Sequence, residues 1–366
     1  MAAFLAVNAT ACVPVTRVGP DHDPAGWRTY LGAPRHDASA AESLAAAPLR
    51  AWRTGAGRSV RGGVAIGDSV IVVGTADRTV VLLERDQGRV LWRRRVPGTV
   101  AGGPLLDGHR VFVATQATPK GRILALRLRT GATLWAAASD GVSAPLALTD
   151  SLLVAVSDAG LVQALDASTG APVWQRSVRR AARAAPVPVA GGIAVATIGD
   201  SLYFLDTATG TVRARLATPG TILGTPVTDG RFLYCATTAG RLLAVAVPDL
   251  TVAWDRPLGD AVYGAPALVR DSLYLVTANG TLWRIPVEAP ELARATALRV
   301  PATAGPTLVA GGILIGATSG EVLLLDAATD SIRWRMHVRG PIQEPPIVRD
   351  RQLILVSGGG AVEAFQ

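Results

Sequence analysis

The chain has 366 residues, of which 49% are apolar, 17% charged and 5% aromatic, and its formal net charge is +8. That apolar share supports a packed core and excludes an intrinsically disordered chain. No apolar run reaches 18 residues, which excludes an internal helical membrane span, and every basic residue except Lys120 is an arginine.

Residues 1–12 form a short apolar stretch that closes on Ala9-Thr10-Ala11 ahead of Cys12. Small residues directly before a cysteine are the pattern of a bacterial lipoprotein processing site, so a truncated signal and a lipid anchor on Cys12 are expected. The stretch has no basic start, and Ala9 stands where such sites carry leucine. Residues 13–48 contain Pro14, Pro20, Pro24 and Pro34 and an alanine run at 45–47, a linker composition. Within it, Asp21-His22-Asp23 reads as a solvated turn.

From residue 49 onward the chain repeats itself. The clearest unit is Leu161–Trp174, LVQALDASTGAPVW. Apolar alternation through Val162 and Ala164 predicts a half-buried strand. Asp166-Ala-Ser-Thr-Gly170 predicts a tight turn: the carboxylate accepts from the amides after it, and glycine supplies positive φ. A second strand then carries Trp174. Related turns are Glu84–Gly88, Arg127–Gly131, Asp206–Gly210 and Asp326–Asp330, and the same register places Trp92, Trp135, Trp254 and Trp334. Leu250 stands where one turn glycine would be, and Ala214 and Arg294 replace the tryptophan in two units. A small residue followed by proline opens another strand ahead of the hairpins, as at Ala144-Pro145 and Gly305-Pro306, with Gly62-Gly63 in that place in the first repeat and Pro345-Pro346 in the last. The second residue of this marker falls at 63, 104, 145, 186, 226, 266, 306 and 346, a period of 40 to 41.

Four short strands per unit, a to d, at that period define an all-β fold, an eight-bladed β-propeller of four-stranded antiparallel blades. The eighth unit ends at Gln366 after strand c, whereas Trp52 lies 40 residues before Trp92 without strands a to c of its own. Residues near 49–54 are therefore expected to supply strand d of the last blade and close the ring, so that the propeller spans 49–366.

The pattern Pro-apolar…Gly-x-apolar-x-Ala-Leu-Asp-x-x-Thr-Gly-x-x-apolar-Trp at Pro145–Trp174 resembles the pyrroloquinoline-quinone-type (PQQ-like) propeller repeat. Trp27-Arg-Thr-Tyr-Leu-Gly32, with Arg35 and His36 after it, resembles the segment that precedes the first blade in such proteins. The resemblance implies one of two branches. Quinone-dependent dehydrogenases use a metal-bound quinone, an acidic base, a tryptophan floor and, in the alcohol branch, a disulfide between adjacent cysteines. The other branch holds non-catalytic eight-bladed proteins such as the lipoprotein subunit of the outer-membrane barrel-assembly machinery. Here Cys12 and Cys235 are not adjacent, and the long insertions of the dehydrogenases are missing, so the second branch is the better match.

The chemistry-bearing residues agree. His22, His36, His109 and His337 show no metal-ligand spacing, there is no Gly-x-Ser-x-Gly elbow, and Gly55-Ala-Gly57 lacks a third glycine and a following helix. Cys235 lies in an apolar strand and reads as a buried thiol. No catalytic residue, cofactor or metal is expected. In the propeller topology the d–a and b–c connections share one face. That face gathers Arg58, Arg61, Arg179, Arg180, Arg183 and Arg339 from d–a connections, and Arg78, Lys120 and Arg122 in or beside b–c connections. Arginine forks engage carboxylates bidentately, and the loops interleave no aromatics for base stacking, so a protein partner is expected there and nucleic acid is not. The sequence thus points to a non-enzymatic propeller of the cell envelope, periplasmic or anchored to the outer membrane. It would be a monomer within a complex and would dock a protein partner, an outer-membrane assembly component being the most concrete. A quinone- or small-ligand-binding oxidoreductase or sensor is the alternative.

Overall fold

The computed structural model describes residues 18–27, 44, 48–117, 120–149 and 151–366. Strands b and c of the repeats do not alternate in burial. Val70–Thr75 is buried at every position, and Leu161–Asp166 is buried at its four central residues. The half-buried strand expected at Leu161–Asp166 is therefore covered on both faces, because each blade is stacked between two neighbours. In blade 1, Ile71, Val73, Val81 and Leu83 pack against blade 8, while Val72 and Leu82 pack against blade 2. Full coverage calls for apolar side chains at both parities, and such strands read as near-continuous hydrophobic runs. Outer strands do alternate: Ile332–His337 runs exposed, exposed, half-buried, exposed, half-buried, exposed.

Among the described residues the strands assemble into eight sheets, each with sequential antiparallel order a-b-c-d. Blade 1 covers Val60–Arg95 and blade 2 Leu105–Ser139. Blades 3 to 7 follow, at Ala147–Ser177, Val187–Ala217, Val227–Pro257, Ala267–Ala297 and Thr307–His337. Blade 8 is made of Ile347–Arg349, Gln352–Ser357 and Ala361–Phe365, and its strand d is Arg50–Gly55 from the other end of the chain. Trp52 stands opposite Ala364, the register that Trp174 keeps opposite Ala164. Leu49 and Gln366 exchange both backbone hydrogen bonds, at 2.8 and 2.9 Å. Glu363, only 2% exposed, receives Arg50 and Arg53 of the closing strand at 3.4 and 3.3 Å. A buried carboxylate left without these partners would be costly, so the pair favours this strand and this register.

In blades 8, 1, 2 and 3 the repeated tryptophan contacts the next blade. The indole N–H of Trp52, Trp92, Trp135 and Trp174 donates to Arg85, Leu128, Ala167 and Thr207 O of the next blade's c–d turn, at 3.0, 2.7, 3.2 and 2.8 Å. Each ring also lies flat on the glycine of that turn. A Cβ on Gly170 would sit 2.5 Å from the Trp135 ring, and the Trp174 ring covers Gly210 even more closely. This explains the paired losses along the chain. Ala214 replaces tryptophan in blade 4, and the facing turn of blade 5 carries Leu250, which fills the space at 4% exposure in the same apolar cluster. Arg294 replaces it in blade 6, and the facing turn of blade 7 carries Asp330 in place of glycine. There Arg284 donates to Ala327 O and pairs with Asp330, standing in for the missing indole N–H.

One departure from the sequence reading concerns the linker at 13–48. Asp23–Trp27 is a strand that pairs with strand a of blade 2 and makes that sheet five-stranded. Asp23 is fully buried rather than solvated. Residues 1–17, Cys12 among them, lie outside the described residues, as do Arg35 and His36.

Candidate interaction face

The propeller presents two end faces, because the a–b and c–d turns emerge at one end and the b–c and d–a connections at the other. The structure places Arg58, Arg61, Arg179, Arg180, Arg183 and Arg339 at the d–a end, all exposed. Arg78, Lys120 and Arg122 are exposed at the same end. Arg179, Arg180 and Arg183 are held by packing rather than left on a loose loop. Val178 N donates to Gly160 O of the b–c turn in blade 3, and the amide of Arg179, at φ 59°, donates to Ser177 Oγ. The stem of Arg180 lies over Gly199 of blade 4, where a Cβ would stand 2.8 Å from its Cγ. Arg183 points toward the axis, with its Nη1 3.9 Å from Asp158 Oδ1. Asp158 in turn accepts from Gln116 Nε2 at 2.8 Å and Ser143 Oγ at 2.9 Å. The outer arginines of the connection are thus presented to solvent, while Arg183 belongs to a polar network around the channel.

The channel itself opens at this end as a cavity of about 160 Å³ lined by residues including Ser143, Arg183, Tyr263, Gln343 and Glu344. Its walls are the small-Pro markers. A Cβ on Gly264 would lie 2.6 Å from the Ala304 carbonyl carbon of the next blade, so side-chain bulk is excluded where eight inner strands converge. Tyr263 and Glu344 lie on this wall and have no signature in the repeat. Their position follows only from ring closure.

Several observations bear on the quinone reading. The cavity is smaller than the ~300–1,000 Å³ of drug-sized ligand sites. Gly264 and its counterparts bring backbone close to the axis, beside Tyr263. No group of three or more potential metal ligands occurs among the described residues. Cys235 is a free, fully buried thiol on strand b of blade 5, and burial pushes it up to about 12. These residues do not fit a metal-bound quinone. The turn carboxylates have a structural explanation too. Asp166 is held down to about 2 by the hydroxyls of Ser168 and Thr169 and the Thr169 amide. Asp206 and Asp326 are lowered in the same way, and Arg333 is the largest influence on Asp326.

Fold and face together define an eight-bladed propeller of PQQ-like repeats with a charged loop face. The chain belongs to the family described as outer membrane protein assembly factor BamB, whose model matches residues 45–119, 119–221, 213–289 and 280–366. BamB of Xanthomonas campestris is 30% identical over 51% of this chain and 48% of its own length, and that of Legionella pneumophila 23% over 60% and 49%. The chain thus spans about half the length of these two relatives. BamB of Bordetella pertussis is 24% identical over 88% of this chain and 89% of its own. Among solved structures, BamB from Moraxella catarrhalis superposes with a TM-score of 0.75 at 18% identity, covering 87% of this chain and 99% of that one. Quinohemoprotein alcohol dehydrogenase from Comamonas testosteroni gives 0.75 at 12% identity, covering 93% and 80%. At these identities both likenesses are likenesses of fold, and the match to the family model separates the two branches.

Proposed function

We propose that this protein is a non-enzymatic scaffold of the bacterial cell envelope that serves outer-membrane protein assembly by docking a protein partner on its d–a face. It works as a monomer within a complex, at the periplasmic side of the outer membrane, held by a lipid on Cys12. The observation that carries the reading is the triple Arg179, Arg180 and Arg183: a single connection, wedged between blades 3 and 4, that presents guanidinium groups beside the channel mouth. Rigidly held charges contribute to encounter rate and register, and loops on a fixed scaffold are where binding residues concentrate. Family membership and the small cavity at the channel mouth favour a scaffold over an oxidoreductase.

The test is capture of an envelope partner by the variant with Arg179 and Arg180, the two arginines presented to solvent, changed to Glu. Exposed charges contribute little to folding, about 0.5 kcal/mol or less each. Stability should therefore hold while association slows and its salt dependence weakens. Arg213 and Arg333 on the opposite face pair with Asp206 and Asp326 of the c–d turns. A charge reversal there would disturb the turns, so Arg127 and Arg294, both exposed at that end, are the better control. Equal loss of capture in the control would refute the assignment of the face.

A further inference from the structure

The strand Asp23–Trp27 occupies an unusual place. Strand a is innermost in a blade, and its outer edge is taken by strand b. A strand pairing with Leu105–Gly108 therefore lies on the axis-facing edge, and Asp23 opposite Gly108 sets it at the a–b end of the channel. The lead-in crosses the rim of the same face: Gly19 N donates to Arg129 O at 2.7 Å, and Asp21 pairs with Arg129 at 2.7 Å in the c–d turn of blade 2. Asp23 itself is bound to another blade. Its carboxylate, 0% exposed, accepts from Asp68 N at 2.9 Å, Ser69 N at 3.0 Å and Ser69 Oγ at 3.2 Å, all in the a–b turn of blade 1. Gly67 leaves the space for it, since a Cβ there would run into the carboxylate. Asp68 also pairs with Arg349 of blade 8. Hydrogen bonds from amides to a carboxylate are charge-assisted, and an ionised carboxylate accepts only, so the two turn amides and the acid match each other. The described chain resumes at Leu44, buried against blades 7 and 8.

We propose that residues 18–27 are a clasp, with Asp23 as its catch, which ties blades 1 and 2 together across the a–b mouth of the channel and fixes the N-terminal lead on the face opposite the arginines. Cys12 is six residues from Val18, a span of at most ~21 Å, so an attachment at Cys12 holds the ring by its c–d face and leaves the arginine face turned outward. This last consequence rests on the docking reading above; the clasp itself does not.

The test uses the full chain and no partner, so its failure and that of the docking reading are separable. Amide exchange is followed at Asp68 and Ser69 in the wild type, in Asp23→Ala and in Asp23→Asn. Exchange at both amides should rise at least ~10-fold in Asp23→Ala and less in Asp23→Asn, which keeps one acceptor oxygen, while the amides of Arg50–Gly55 stay protected. Gly67→Ala, which displaces the carboxylate without removing it, should reproduce the effect and serves if Asp23→Ala does not fold. In a Cys12→Ser background, spin labels at Val18→Cys and Thr130→Cys should give a short, narrow distance. Labels at Val18→Cys and Asp140→Cys, at the far end of the same blade, should give a longer one, and adding Asp23→Ala should broaden the first. Unchanged exchange at Asp68 and Ser69, equal loss of protection in the closing strand, or residue 18 lying nearer residue 140 would each overturn the proposal.

Discussion

The tryptophan–glycine contact between blades makes a quantitative prediction, because the chain contains its own alternative solution. Trp174 is 9% exposed, donates to Thr207 O at 2.8 Å and covers Gly210. Trp174→Ala removes the ring and its hydrogen bond and should cost about 3–5 kcal/mol. Gly210 has φ +67° and no room for a Cβ beneath the ring. Gly210→Leu alone should therefore cost about 1–2 kcal/mol in backbone conformation and a further ~1–3 in overpacking. If the two losses added, they would approach the whole stability of a typical domain, about 5–15 kcal/mol. Blades 4 and 5 already hold the combination, with Ala214 facing Leu250 at φ +54°. The double variant should thus be no less stable than Trp174→Ala alone, a favourable coupling equal to the whole cost of Gly210→Leu, about 2–5 kcal/mol in a double-mutant cycle. Denaturant titration followed by circular dichroism measures all four corners. A double variant that loses the sum of the singles within ~0.5 kcal/mol would refute the idea that ring and turn residue compensate.

Two further predictions concern closure and acid. Deleting residues 1–56 removes the closing strand with Arg50 and Arg53, exposes the edge of Ala361–Phe365 and should produce aggregates in size-exclusion chromatography. Deleting 1–40 removes the clasp but keeps the closing strand, and should leave a soluble ring; equal behaviour of the two would contradict the closure. The Asp166 carboxyl should titrate near 2 in the folded chain, by carbon NMR, against about 3.9 unfolded, and Ser168→Ala with Thr169→Ala should move it back up. Because the folded value is depressed, the stabilising effect of this turn is present above pH ~4 and is lost as pH falls through 2.

Much of this architecture is legible in local sequence because a propeller repeats one local solution eight times. The 40–41 residue period, the turn Asp–Gly spacing and the orphan Trp52 all follow from short-range rules: carboxylates that cap turns, glycine where φ is positive, and the need of a last blade for a fourth strand. The arginines of the d–a face are legible for the same reason, since strand parity decides which connections share an end. What the chain could not reveal locally depends on residues that meet across the ring. The partners of Asp23 lie 45 and 46 residues away in another blade's turn, so nothing around Asp21-His22-Asp23 distinguishes a buried catch from a solvated loop. The burial of both faces of strands b and c, the pairing of Leu250 with Ala214 and of Asp330 with Arg284, and the gathering of Tyr263 and Glu344 at the channel mouth all come from stacking one blade on the next. Periodicity determines the blade. Only the closed ring decides what each blade touches, because those contacts join residues that the sequence holds apart.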